Sequence, residues 1–307
     1  MHKKMRGIGF GIVALALSAL APAAHAEHKE MLPATVKPLY FQDSMNVFRR
    51  FTVDTQKMFE FYGDVLGLKQ LQTFTVDAGQ KVARFTVGDS QVKFTKRTPD
   101  RKYQSGGVKD ATGLRLLTFY FPDEAALSQR FTEHGLPAPK FKSLPNSDRE
   151  YALVKDPDGQ DVELVVIPDG PDEAYERIEV GLTVSNMKAS RDFYTNFVGL
   201  DPLPPVKDPV FGVMMYPFRH GSTVINLRSF GSNLPQDNGS GGIQYVVTNV
   251  DPVNEMAKKR HITIERPLGE LKGFGLRTIW LDDPDGVTNY FAETPESRKA
   301  QASGSSN

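Results

Sequence analysis

Apolar residues recur along this chain with two different periods, and the order in which the periods alternate is used twice. Met58, Phe61, Tyr62, Val65 and Leu66 fall on one face of a helix, and Gly67 supplies the left-handed residue that ends it. The period then drops to two: residues 82–85, a Gly88-Asp89 turn and residues 92–94 predict a hairpin. A strand from about Leu116, a helix from about Asp123 and a closing strand over 162–167 follow, the last behind the turn Asp156-Pro157-Asp158-Gly159.

The second copy repeats each step. Phe193, Tyr194, Phe197 and Val198 form the helical stripe before Gly199, and Met214 opens a hairpin that turns at His220-Gly221 and returns over 223–227. A strand near Ile243, a helix from Asp251, the turn Asp283-Pro284-Asp285-Gly286 and a strand over 289–292 complete it. Two signatures matched in the same order mark a duplication. The expected organisation is therefore α+β, with module 1 over 43–170 and module 2 over 171–295. A leader at 27–42 and a frayed, disordered tail at 296–307 flank them.

Composition changes this picture little. The 307 residues suffice for two cores. Lys plus Arg equals Asp plus Glu at 37 each, so no overall field recruits nucleic acid or an anionic membrane. The first residues add a compartment. Lys3, Lys4 and Arg6 precede an apolar run over 8–20, and Ala24-His25-Ala26 is a small-x-small cleavage pattern. Residues 1–26 are expected to be a signal peptide and the mature chain to start at Glu27, in the periplasm or secreted, with no membrane attachment after cleavage. There is no cysteine, which removes disulfides and thiolate ligands.

The helix Phe-Tyr-x-x-x-(Val/Leu)-(Leu/Val)-Gly-Leu, the hairpin and the strand behind Asp-Pro-Asp-Gly together resemble the vicinal oxygen chelate superfamily, which includes glyoxalases, bleomycin resistance proteins and extradiol dioxygenases. The resemblance implies tandem βαβββ modules whose curved mixed sheets form cups, with a divalent metal held in the enzymes. Carried over by position, Glu163 takes the ligand site on the closing strand of module 1, and Tyr290 takes it in module 2. The first-strand ligand, usually His, falls on Glu179 in module 2 and among Phe48, Arg50 and Thr52 in module 1. The later-strand His of the dioxygenases falls near Gly242 or Ile243. No histidine stands at any of these positions. His134 and His261 end helices, where the dipole favours them, and His28 and His220 are expected in solvent.

Two readings of the chemistry follow. In one, Glu163 and Glu179 share a cup as catalytic or metal-binding carboxylates for Mg²⁺, Mn²⁺ or Ca²⁺, as in a glyoxalase-type lyase or isomerase, or less readily a dioxygenase. In the other, the metal site is degenerate, Arg50 neutralises Glu163, and Phe48, Arg50, Tyr216 and Tyr290 bind a planar or anionic small organic molecule. The second reading is the leading expectation, for a monomer or homodimer.

Overall fold

The computed structural model describes residues 32–304, apart from 77–78, 98–99 and 145–146. The expected signal peptide, its cleavage point and His28 lie outside the described residues.

Each repeated module holds the βαβββ unit twice. The first unit is β1 (Asn46–Phe51), α1 (Thr55–Phe59), β2 (Lys69–Val76), β3 (Gln80–Val87) and β4 (Ser90–Lys96). The second is β5 (Gly113–Phe121), α2 (Glu124–Glu133), β6 (Lys142–Ser143), β7 (Glu150–Lys155) and β8 (Asp161–Val166). Module 2 repeats this as β9 (Ile178–Thr183), α3 (Met187–Asp192), β10 (Asp201–Pro202), β11 (Val206–Lys207), β12 (Met214–His220) and β13 (Thr223–Arg228). The fourth unit of the chain, the second of module 2, is β14 (Gly241–Val247), α4 (Asp251–Lys259), β15 (Ile264–Leu271), β16 (Leu276–Asp282) and β17 (Thr288–Glu293). Helices α1 and α3 each continue as a π-helical turn, Glu60–Val65 and Phe193–Val198, before a glycine in the left-handed region, Gly67 and Gly199.

The strands assort across the modules. Sheet A runs β15-β16-β17-β14-β1-β4-β3-β2, and sheet B runs β10-β12-β13-β9-β5-β8-β7-β6, with β11 on β12. Each sheet thus joins one unit of module 1 to one of module 2, through antiparallel β1–β14 in sheet A and β5–β9 in sheet B. Sheet A has eight strands and sheet B nine.

The two sequence signatures prove to be one structural device. In module 1 the Tyr62 hydroxyl donates to Asp156 Oδ2 at 3.0 Å, while Asp156 Oδ1 accepts the backbone N–H of Asp158 and Gln160 at 2.9 and 3.0 Å. In module 2 Tyr194 donates to Asp283 Oδ2 at 3.0 Å, and Asp285 and Val287 supply the N–H groups. The helix tyrosine therefore pins the turn that aims the closing strand. Only module 1 adds a cation, Arg49, whose Nη2 lies 3.2 Å from Asp156. Burial pushes Asp283 up to about 7.

The helix-side faces of both sheets share one core. The Tyr62 ring lies 4.3 Å from Phe94 of sheet A and 6.1 Å from Phe119 of sheet B. The opposite face of each sheet is left for a cup. Three flanking expectations change. The leader packs, burying Val36 and bridging Tyr40 to Val247. The tail forms α5 (Pro295–Gly304). His220 is buried beneath Tyr40, ring centroids 4.1 Å apart, rather than solvated.

Candidate functional site

Strand alternation decides which side chains reach each cup. In β1, Val47 and Phe51 enter the core while Phe48 and Arg50 point the other way. In β17, Phe291 goes inward and Tyr290 outward; in β16, Ile279 inward and Trp280 outward. Register then brings the outward residues together: Phe48 lies beside Gly242 and Lys93, Gln244 beside Tyr290, and Tyr290 beside Trp280.

The result is a cavity of about 240 Å³ over sheet A. One wall is Trp280 stacked on Tyr290, centroids 4.9 Å apart and planes at 20°, with Phe48 5.7 Å from Tyr290. The other is Phe74 against Phe274, 5.0 Å apart, from the outer arms β2 and the β15–β16 turn. Gly242 permits the Phe48 ring to lie across β14, since a Cβ there would stand 2.4 Å from Phe48 Cζ. The later-strand histidine has no room at Gly242 for the same reason.

The charged groups lining this cup are three cations, Arg50, Lys93 and Arg266, and two acids, Asp100 and Glu265. Arg50 sits 5.2 Å over the Phe48 ring and Arg266 4.4 Å over Trp280. Glu265 is already engaged: Arg101 lies 3.2 Å from it and 3.0 Å from the neighbouring Asp282, and the Thr288 hydroxyl donates to Glu265 at 2.6 Å. Arg50 Nη1 is buried without a hydrogen-bond partner among the described residues. Burial lowers the Arg50 pKa, which marks a desolvated cation. Lys93 lines the same cavity, and its Nζ donates to Gln244 Oε1.

Glu163 and Glu179 come together, but over sheet B. Thr118 on β5 is the strand partner of both, and its hydroxyl donates to Glu163 Oε2 at 2.8 Å. Glu179 accepts from the Tyr120 hydroxyl and, at 2.6 Å, from Asn226 Nδ2. Burial pushes Glu163 up to about 7; Thr118 and Arg228 oppose the rise and the charge of Glu179 adds to it.

The expected Arg50–Glu163 ion pair does not form, because β1 and β8 belong to different sheets. Tyr216 also leaves the expected cup. Its strand partner is the core residue Leu227, and Arg191 of α3 lies 4.8 Å over its ring, so it faces the helices. Sequence reasoning missed Lys93 and Trp280. Alternation puts Lys93, between Val92 and Phe94 in a hairpin arm, on the face opposite the core, but does not tell a cavity there from solvent.

The residues present do not fit the divalent metal of the resembling enzymes. Over sheet B Glu163 and Glu179 meet, and three of their four oxygens accept from Thr118, Tyr120 and Asn226. Over sheet A the corresponding positions carry Phe48, Lys93, Gln244 and Tyr290, and a cation would face Arg50 and Lys93. Among the described residues no three His, Asp or Glu gather closely enough to hold an ion. A larger cleft, about 580 Å³, borders sheet B and includes Lys109, Lys140, Lys142 and Lys155.

The profile of the Glyoxalase/Bleomycin resistance protein/Dioxygenase superfamily matches residues 44–164 and 177–291. Among solved structures, glyoxalase I from Zea mays is similar at 20% identity, over 84% of this chain and 95% of its own, with a TM-score of 0.63. A putative dioxygenase from Bacillus subtilis is similar at 15% identity, over 81% and 84%, with a TM-score of 0.58. At these identities the likeness concerns the fold. No curated protein matches the chain.

Proposed function

The chain belongs to the Glyoxalase/Bleomycin resistance protein/Dioxygenase superfamily, and we propose that within it this is an exported binding protein whose sheet A cup takes a small, planar, anionic organic molecule. One observation carries the reading: a cavity walled by Phe48, Tyr290, Trp280, Phe74 and Phe274 holds Arg50 with a buried donor that has no partner. Flat walls select a ring system, and a buried guanidinium N–H without a partner among the described residues selects an anionic acceptor such as a carboxylate. The stabilisation lies in completing a desolvated hydrogen-bonding group, about 1–3 kcal/mol for such a donor.

Export rests on the basic, apolar and Ala24-x-Ala26 order of the first 26 residues. N-terminal sequencing of the exported product is expected to begin at Glu27. The binding reading is tested by calorimetric titration with 2-naphthoate and, separately, with Mn²⁺. Saturable heat with the carboxylate and none with the cation supports a binding cup with a degenerate metal site. Heat with Mn²⁺ that Glu163→Gln abolishes would return the metal-dependent lyase or isomerase reading.

A further inference from the structure

Lys93 is half-buried in the sheet A cup. It lies in the middle of β4, its Nζ reaches across β1 to Gln244 on β14, and it lines the cavity between Phe48 and Tyr290. No carboxylate pairs with it among the described residues. The charged and titratable groups around it are Arg84 on β3, Arg50 on β1, Tyr290 on β17, Glu265 and Arg266 on β15, and Asp100 in the loop after β4. Glu265 is already held by Arg101 and Thr288. Burial first, and then the like charge of Arg84, lower the Lys93 pKa to about 7. Lys93 therefore holds far more neutral amine at neutral pH than an ordinary lysine does.

An amine kept neutral by desolvation in an apolar pocket is a nucleophile toward carbonyl carbon. We propose that Lys93 captures the carbonyl group of an anionic aldehyde or ketone as a reversible imine, with the anionic group of the same molecule on Arg50. This rests on the anion-binding reading of the cup and narrows its ligand class. The Nζ lone pair adds to the carbonyl carbon as the C=O π pair moves to oxygen, and a proton passes from nitrogen to that oxygen. The carbinolamine then loses its C–O bond as C=N forms, and the hydroxyl leaves with the second nitrogen proton as water. Amine plus carbonyl gives imine plus water, with no oxidant or reductant. Geometry supports the pairing of functions: Arg50 faces Thr95, two residues along β4 from Lys93, so both cations stand on one face as diagonal neighbours, roughly 7–8 Å apart at the backbone.

The test is reductive trapping of the full mature chain with 4-formylbenzoate or benzaldehyde and cyanoborohydride at neutral pH, followed by peptide mapping. The expected result is a reduced adduct on Lys93 formed about tenfold or more faster than on any other lysine, as its neutral fraction implies. The carboxylated aldehyde should outpace benzaldehyde in the wild type, and Arg50→Gln should abolish that preference. Lys93→Met should lose the adduct; should it misfold, the wild-type pH series decides. The ratio of Lys93 to surface-lysine labelling should be highest at and below about pH 7 and fall above it. Labelling spread over surface lysines, with Lys93 no faster than they are, overturns the proposal. Binding of 2-naphthoate, which has no aldehyde or ketone, is independent of this step. Trapping can thus fail while the binding reading stands, and loss of both removes the cup itself.

Discussion

Glu163 shows how a single buried charge sets a pH response. Its carboxyl group is raised to about 7 by burial, against an ordinary value near 4.5 in the unfolded chain. The folded state therefore holds its proton longer than the unfolded state. The stability linked to neutral Glu163 is complete below about pH 4.5 and is lost as pH rises through 7. Glu163→Gln removes that ionisation and can keep the bond from Thr118. At about pH 8.5 the variant should exceed the wild type in urea melts by up to about 3 kcal/mol, and the gap should close by about pH 4.5. Asp283 titrates in both proteins and cancels from the difference. A wild type more stable than the variant at the higher pH would mean that the ionised carboxylate has a partner, as a bound cation would provide. At this scale the sequence revealed residue types but not their neighbours. Glu163, Glu179, Phe48, Arg50 and Tyr290 were picked out from position; Phe48, Arg50 and Tyr290 line the sheet A cavity, and Glu163 and Glu179 flank Thr118 on sheet B. Lys93 was passed over because nothing local distinguishes a lysine that crosses a neighbouring strand from one that reaches solvent.

The hairpin turns join elements that are far apart in the chain. Gly88, between β3 and β4, packs on the backbone just before β9, where a Cβ would stand 2.1 Å from the Glu176 carbonyl oxygen. Gly221, between β12 and β13, packs in the corresponding way before β1, 1.7 Å from that of Asp43. Both adopt φ of 54°. Gly88→Ala and Gly221→Ala should each destabilise the fold by more than about 1 kcal/mol, because backbone must move in both cases. Thermal melts of the two variants check this, and an unchanged midpoint in either would refute the packing described. Both hairpins were legible as alternation around a Gly turn, and both signature helices as a 3.6-residue stripe ended by Gly67 or Gly199. The outer strands were not. β15 carries Pro267 and Gly269 with register shifts at Arg266 and Gly269, so its alternation is broken where it would have been read.

Across the whole molecule, the assortment of units explains which site residues meet. Strand pairing between β1 and β14, or β5 and β9, leaves no periodicity in either partner. The sequence therefore could not tell that Phe48, Arg50 and Tyr290 belong to one cup and Glu163 and Glu179 to another. The same assortment means that neither module completes a sheet alone. Residues 43–170 expressed by themselves would leave β1 without β14 and β5 without β9, two open edges beside apolar faces. Light scattering after size exclusion should find this fragment self-associated, and a stable folded monomer would contradict the description of both sheets.

The central claim is that the sheet A cup binds a planar anion, and Trp280 reports on it directly, being the only tryptophan in the chain and part of the cup wall. The decisive measurement is its fluorescence during titration with 2-naphthoate, in the wild type and in Arg50→Gln. The account predicts a saturable change in the wild type, with affinity at least about tenfold weaker in the variant, the loss expected for one charge-assisted hydrogen-bonding group. No saturable change in the wild type, or equal affinity in the two proteins, would contradict it.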